Sequence, residues 1–334
     1  WICFRAVARR PPRAELAPAD SIGMLQWNLH GECFLRCRAA SDAHCDGRYP
    51  ACRDGALAFL RALLERNAPD FVGVEQLNDE DFLRSGLDPD RWGRSTQLCG
   101  GDRGFGVYPF DSATLYHDRT KWSALAVEGV VPGGCMELVE GAAVEDAAPG
   151  GAKGGPQTPR APTGSDTTTG ATAKNYRAYV VRAFSRVAGH ERVLVAVSHN
   201  PHVLAYEAEI RALKETVALI QAKTGIAKLI LIADTNVNGP GSRFPGGGRT
   251  SQSVMEDIYP GAGEVASTEL SDTCCAWTYA HSFDRIMAAG FPAGSSMATA
   301  LPFQPTRPDW VALNMHDPIL GRLEPGGLAP LALY

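Results

Sequence analysis

An α/β architecture is predicted by three features of the sequence. Six short segments are apolar and rich in β-branched residues, two stretches between them carry apolar residues at helical spacing, and residues able to do chemistry fall where the apolar segments stop. The segments are SIGMLQWN (21–28), DFVGVEQL (70–77), SATLY (112–116), AYVVRAF (178–184), RVLVAV (192–197) and KLILIA (228–233). Several have no polar alternation, which is the pattern of strands buried on both faces. Between the first two segments, Leu57, Leu60, Leu63 and Leu64 recur at helical spacing. Between the last two, Tyr206, Ile210, Leu213, Val217 and Ile220 step by fours and threes, which places them on one helical stripe. Both helices are expected to cover sheet faces.

A chain of 334 residues, 45% of them hydrophobic, can fill one large core, so a single catalytic domain with insertions is expected over 21–322. An N-terminal extension (1–20) and a C-terminal tail (323–334) flank it. The stretch 141–175 is mostly Gly, Pro, Ala, Ser and Thr with Val144 as its only large apolar residue, and it reads as a disordered insertion between two strands. GPGSRFPGGG (239–248) reads as a second flexible loop. The formal charge of -5 argues against a general polyanion binder, so any nucleic-acid contact would rest on a local cluster of Arg and Lys. No run of about 18 apolar residues occurs, so no membrane span is expected, and the chain reads as a soluble monomer. It starts at Trp1 rather than Met, as a fragment or processed end would.

Cys33, Cys37, Cys45 and Cys52 fall within one polar segment, and Cys99 lies further on. Local disulfides that staple a loop, free thiols, and a zinc site using these thiols with His44 are all compatible with them. The intervening stretches of three, seven and six residues do not make paired CxxC knuckles, which favours disulfides over zinc. A secreted or lumenal location follows from that reading. With nine cysteines, at least one is left without a partner in the chain.

The chemistry sits at strand ends. KLILIADTN (228–236) delivers Asp234 and Asn236 two residues apart where an apolar strand stops, so both side chains point the same way. RVLVAVSHNPH (192–202) ends with His199, SFDRIMAAG (282–290) places Asp284 and Arg285 before an apolar run, and VALNMHDPI (311–319) places His316 two residues before Pro318. Each alone is compatible with an ordinary turn, cap or salt-bridge residue.

In this order the pieces resemble the endonuclease/exonuclease/phosphatase superfamily over about 23–319. QWN (26–28) resembles its first-strand Asn motif and PDFVGVEQL its acidic second motif. SATLYHD is similar to the following strand, SHNPH carries the family His, and ADTN stands where the family has Gly-Asp-Phe-Asn. SDTCCAWTYAHSFDRIMAAG (271–290) resembles pancreatic-type deoxyribonuclease in particular, and NMHDPI the closing Ser-Asp-His-x-Pro-Val. The resemblance implies a four-layer sandwich: two mixed β-sheets face to face, flanked by helices, with the active site at one edge. It implies catalytic roles for His199, Asp234, Asn236, Asp284 and His316, a substrate contact for Arg177, and a divalent cation, Mg²⁺ with Mn²⁺ as the alternative, near Asn28, Asp234 and the acidic motif.

Two positions depart from the family pattern. Alignment on Pro69 and Asp70 puts Glu75 at the family's Gln position and Gln76 at that of its metal-binding Glu, and Met315 stands where the family has Asp. A neutral amide is a poorer ligand for a hard cation, so Glu75 is expected to supply the acidic ligand, with Gln76 and Asp317 beside it. The resemblance implies a phosphodiester hydrolase, foremost a deoxyribonuclease-like endonuclease acting on nucleic acid. A phosphomonoesterase or a sphingomyelinase-like lipid phosphodiesterase on the same fold, and a non-enzymatic binding homologue, are the alternatives.

Overall fold

The computed structural model describes residues 20–29, 49–76, 86–99, 111–137, 176–201, 206–240, 248–273, 281–300 and 316–326, with the side chains of 49–55, 176 and 206 excepted. Residues 1–19 of the N-terminal extension, Cys33, Cys37, Cys45, the Cys52 side chain, His44, the stretch 141–175, most of the 239–248 loop, and Met315 lie outside these residues.

The chain forms strands β1 (Ile22–Asn28), β2 (Phe71–Glu75), β3 (Trp92–Cys99), β4 (Asp111–Asp118), β5 (Trp122–Leu125), β6 (Gly133–Glu137), β7 (Tyr176–Arg186), β8 (Arg192–His199), β9 (Leu229–Asp234), β10 (Ala266–Ser267), β11 (Asp284–Ala289), β12 (Ser296–Ala300) and β13 (Ile319–Glu324). The helices are α1 (Tyr49–Asn67), α2 (Tyr206–Glu209), α3 (Arg211–Thr224) and α4 (Ser251–Ile258). All six sequence-predicted strands and both helical stretches are present. The second stretch is broken at Ile210, and Gly225, with φ of 67°, ends α3 by donating its N–H to the Gln221 carbonyl. The last strand continues past 322, pairing Leu323 with Ile22.

Two mixed sheets result. One runs β12-β13-β1-β2-β4-β3; the other runs β10-β11-β9-β8-β7-β5, with β6 also on β7. Pairs β1–β2 and β8–β9 are parallel, and the other pairings described are antiparallel. Because successive strand side chains point to opposite faces, each buried strand feeds two apolar layers. Met24, Phe71, Val195, Val197, Ile230 and Ile232 meet between the sheets. Leu25, Trp27, Val72 and Val74 pack outward against Leu57, Leu60, Leu63 and Leu64 of α1. Leu194, Leu229 and Leu231 pack outward against Leu213, Val217 and Ile220 of α3 and Val254 and Met255 of α4. The order is therefore helix, sheet, sheet, helix, as the family resemblance implied. The sheets approach closely at Gly73, where a Cβ would stand 2.4 Å from Ile232 Cγ2 and 3.1 Å from Val197 Cγ2. Both neighbours are β-branched and stiff, so only glycine fits there.

At the end of the sandwich away from the strand-end motifs, His117 is buried against Phe184, ring centroids 4.8 Å apart. Burial, then the positive charges of Arg119 and Arg182, lower its pKa from 6.5 to about 4, against the opposing pull of Asp118. The unfolded chain therefore binds a proton between pH 6.5 and 4 that the folded chain refuses, and stability falls as pH falls through that window. The loss is expected to be on the order of 2 kcal/mol. Urea unfolding at pH 7 and pH 4.5 checks it: His117→Phe should flatten the decline, and an unchanged slope in the variant would rule His117 out as its source.

Candidate active site

The inter-sheet face does not stay apolar to the ends of its strands. In β1 it runs Ile22, Met24, Gln26, Asn28; in β2, Phe71, Gly73, Glu75; in β8, Val193, Val195, Val197, His199; and in β9, Ile230, Ile232, Asp234. Read backwards from their apolar residues, β4 reaches Asp111 and β11 reaches Asp284 on the same face. These strand ends lie at one edge of the sandwich because the registers bring them level: Asn28 opposite Glu75, His199 opposite Asp234, and Asp234 opposite Asp284. Every one of these side chains is buried.

Asp234 is the hub. Its Oδ2 accepts from Asn28 Nδ2 at 2.6 Å and its Oδ1 from the Asn236 backbone N–H at 2.9 Å. His199 Nε2 lies 3.7 Å and His316 Nδ1 3.9 Å from that same Oδ2, so one carboxylate oxygen has both imidazoles within 4 Å. Burial works to raise the Asp234 pKa, but the His316 and His199 charges and the two hydrogen bonds outweigh it and hold the carboxyl below its usual range. Asn236 follows in a left-handed turn, φ 51°, and its Nδ2 donates to the Asn200 carbonyl at 2.7 Å. That places Asn236 as a brace between the β8 and β9 ends.

Each imidazole has its own acid. His316 Nδ1 is 2.7 Å from Asp284 Oδ2, which also accepts from Thr273 Oγ1 at 2.6 Å. Burial opposes the His316 charge, yet Asp284, Asp234 and Asp317 together raise its pKa above the ordinary value. His199 Nδ1 is 2.7 Å from Asp111 Oδ1, with Arg177 Nη1 3.1 Å from the same nitrogen and 3.7 Å from the carboxylate. The shorter contact assigns the Nδ1 proton to the carboxylate, which leaves the Arg177 guanidinium as a positive charge beside Asp111. In both imidazoles a carboxylate takes Nδ1, and in His199 this turns Nε2 toward Asp234 Oδ2.

Gln26 joins the acids of the two sheets: its Nε2 donates to Glu75 Oε2 at 3.1 Å and to Asp284 Oδ1 at 2.7 Å. Burial first, then the charges of Asp284 and Asp234, raise the Glu75 pKa well above the usual carboxylate range, against the Gln26 hydrogen bond. Glu75 Oε1 and Gln26 Oε1 are both buried with no hydrogen-bond partner, and Asp234, Asp284 and His316 offer ligand atoms within 4.8 Å of one another. Buried oxygens without donors beside clustered carboxylates are a fit for a hard divalent cation, which prefers oxygen ligands. β2 ends at Glu75, and Gln76 turns away into a left-handed conformation with φ of 55°. Its Oε1 is also buried without a hydrogen-bond partner.

The structure thus gathers Asn28, Glu75, Arg177, His199, Asp234, Asn236, Asp284 and His316 at one sandwich edge. Asp317 stands next to His316, with its N–H donated to the Thr273 carbonyl at 2.9 Å. Sequence reasoning missed Gln26, Asp111 and Thr273. Gln26 was recoverable from its position two before Asn28 on the same strand face, and Asp111 from its place at the mouth of the SATLY run. Thr273 lies in the quoted SDT, where only its contact with Asp284 gives it a task.

No protein-family model matches this sequence, and no curated protein sequence matches it. Solved structures do. The human Nocturnin catalytic domain with bound sulfate anion is similar at 13% identity and a TM-score of 0.52, over 92% of this chain and 95% of that one. An endonuclease/exonuclease/phosphatase from Bacteroides vulgatus is similar at 15% identity and a TM-score of 0.51, over 92% of this chain and 99% of that one. The chain has the endonuclease/exonuclease/phosphatase fold. An endonuclease/exonuclease/phosphatase family protein from Bacteroides thetaiotaomicron agrees, at 14% identity and a TM-score of 0.52 over 91% of this chain and 94% of that one. No helix among the described residues is long and apolar enough to cross a membrane.

Proposed function

We propose that this chain is a divalent-metal-dependent phosphodiester hydrolase, a deoxyribonuclease-like endonuclease. The observation that carries the reading is the pair of buried imidazoles, each tied at Nδ1 to a carboxylate and each within 4 Å of Asp234 Oδ2. Hydrolysis of a diester needs a proton taken from the attacking water and a proton given to the leaving oxygen, on opposite sides of phosphorus. Two imidazoles, each held at Nδ1 by a carboxylate, supply one of each. Asp111 and Asp284 orient the rings and balance the charge of the protonated form, while Gln26, Thr273 and Asn28 fix the carboxylates. Glu75, Gln26, Asn28 and Asp234 are the side chains that would hold a cation, Mg²⁺ or Mn²⁺, with Gln76 at the margin; bound there, it would neutralise charge on the phosphoryl oxygens. The choice of DNA rests on the likeness of 271–290 to pancreatic-type deoxyribonuclease.

The test is release of acid-soluble nucleotides from duplex DNA with Mg²⁺, with Mn²⁺ and with chelator. Metal-dependent release is expected. If DNA stays intact while sphingomyelin or a small phosphomonoester is turned over, the nuclease reading falls and the alternative phosphoesterase reading replaces it. No turnover of any of the three would leave a binding protein.

The substrate contact proposed for Arg177 is made from the Nδ1 side of His199, where its Nη1 lies beside Asp111. A guanidinium beside the working imidazole can meet a non-bridging phosphate oxygen, and its fork of donors suits that contact. Arg177→Ala is expected to lower kcat/KM on DNA by about tenfold and to make its salt dependence shallower by about one phosphate contact. Unchanged activity and an unchanged salt slope would remove Arg177 from the site.

A further inference from the structure

The Cys99–Cys135 disulfide joins the two sheets, since Cys99 ends β3 in one and Cys135 lies on β6 in the other. It is separate from the local loop staple expected of the cysteine-rich segment, which lies outside the described residues, and its place on the strand ladders is specific. Cys99 stands opposite Asp111 across the β3–β4 ladder, and Cys135 stands opposite Ala178 across the β6–β7 ladder. The Ala178 N–H in turn donates to Asp111 Oδ2 at 2.7 Å. Disulfide, ladder rung, hydrogen bond and ladder rung therefore close a ring across the seam between the sheets. The other oxygen of Asp111 holds His199 Nδ1 at 2.7 Å.

We propose that the Cys99–Cys135 crosslink is a redox-controlled positioning device, which holds Asp111, and through it His199, in working geometry and releases them when a dithiol reduces it. Its effect on turnover rests on the function proposed above; its effect on geometry does not. The thiolate of a dithiol attacks Cys135 Sγ, since Cys135 is partly exposed whereas Cys99 is only 2% exposed. The S–S bond breaks and Cys99 leaves as a thiolate that takes up a proton. The second thiol of the reagent then attacks the mixed disulfide, freeing the Cys135 thiol and forming the reagent's own disulfide. Two electrons pass from the dithiol to the protein. Further along the same strands, Arg182 Nε donates to Ser95 Oγ at 2.8 Å, a second tie between β7 and β3 that reduction leaves in place. The sheets stay docked and the loosening is confined to the Asp111 end.

Mass spectrometry of unreduced peptides should first find Cys99 linked to Cys135, and finding them unlinked would overturn the proposal. Amide hydrogen exchange, read by NMR on the full chain, then compares the oxidised protein with protein treated with dithiothreitol and with the Cys99→Ser/Cys135→Ser double variant, which isolates this bond from any other. Exchange at the Ala178 amide should speed up by about tenfold or more in both, while the Val195 and Ile232 amides stay unchanged. An unchanged Ala178 amide would overturn the proposal, and so would equal acceleration at all three, the mark of a crosslink that serves stability alone. With a cleavable phosphodiester, kcat should fall severalfold at unchanged KM on reduction and recover on reoxidation. If no phosphodiester is turned over, the function reading fails, but the exchange result still decides the positioning one.

Discussion

Replacing either buried imidazole, as His199→Ala or His316→Ala, is expected to lower phosphodiester turnover by about 10²–10⁴-fold, the range that positioned acid–base catalysis contributes. The fold should survive both changes. Without His316, Asp284 keeps its hydrogen bonds from Gln26 and Thr273; without His199, Asp111 keeps the Ala178 amide and the Arg177 charge. No carboxylate is left buried and wholly unpaired, which is the situation that costs most. Each single variant should lose one limb of the pH–rate profile, and the double variant should fall little below the worse single one, because base and acid act as a unit. Steady-state rates on duplex DNA, with melting temperatures taken in parallel, provide the check. A His199→Ala protein within about threefold of the native rate would end the acid–base reading.

Glu75→Gln is expected to move two measurements in opposite directions. In metal-free protein the native Glu75 carboxyl is crowded by burial and by the charges of Asp284 and Asp234, so its removal should leave the melting temperature unchanged or raised. With Mn²⁺ present, the same change removes the acidic oxygen that faces the inter-sheet edge. Calorimetric affinity should drop by at least about tenfold, and turnover with it. Binding to the native chain should also release protons, since a carboxyl held protonated must ionise to serve as a ligand, so affinity should weaken as pH falls. Gln76→Glu is the counterpart. If it strengthens Mn²⁺ binding sharply while Glu75→Gln changes nothing, the working ligand position is 76 and the native site is a decayed one.

How far the sequence carries can be seen residue by residue. His199, Asp234 and Asp284 were legible because each lies two residues from an apolar strand position, and the alternation of a strand turns that spacing into a shared face. The same rule selects Glu75 over Gln76, although aligning motifs by residue type points to 76. Asp111 was not legible as the partner of His199, because 88 positions separate them and only the docking of the sheets brings them together. The link from Cys99 to Cys135 was hidden for the same reason: it depends on which strands lie at the edges of two sheets. The break at Ile210 escaped the periodicity because Ile210 and Leu213 keep the stripe in phase across it.

The polar edge draws its members from both halves of the sandwich. Asn28, Glu75, Asp111 and the segment bearing His316 belong with one sheet, while His199, Asp234 and Asp284 belong with the other. Neither half carries a complete set, and the two imidazole–acid pairs made at Nδ1 span the divide: His199 reaches Asp111, and His316 reaches Asp284. A compact state with its secondary structure formed but its halves loosely apposed would give a native far-ultraviolet circular dichroism spectrum and no chemistry. Turnover, recorded alongside that spectrum during refolding, would therefore time the last step of assembly, the closing of one half on the other, rather than the formation of either.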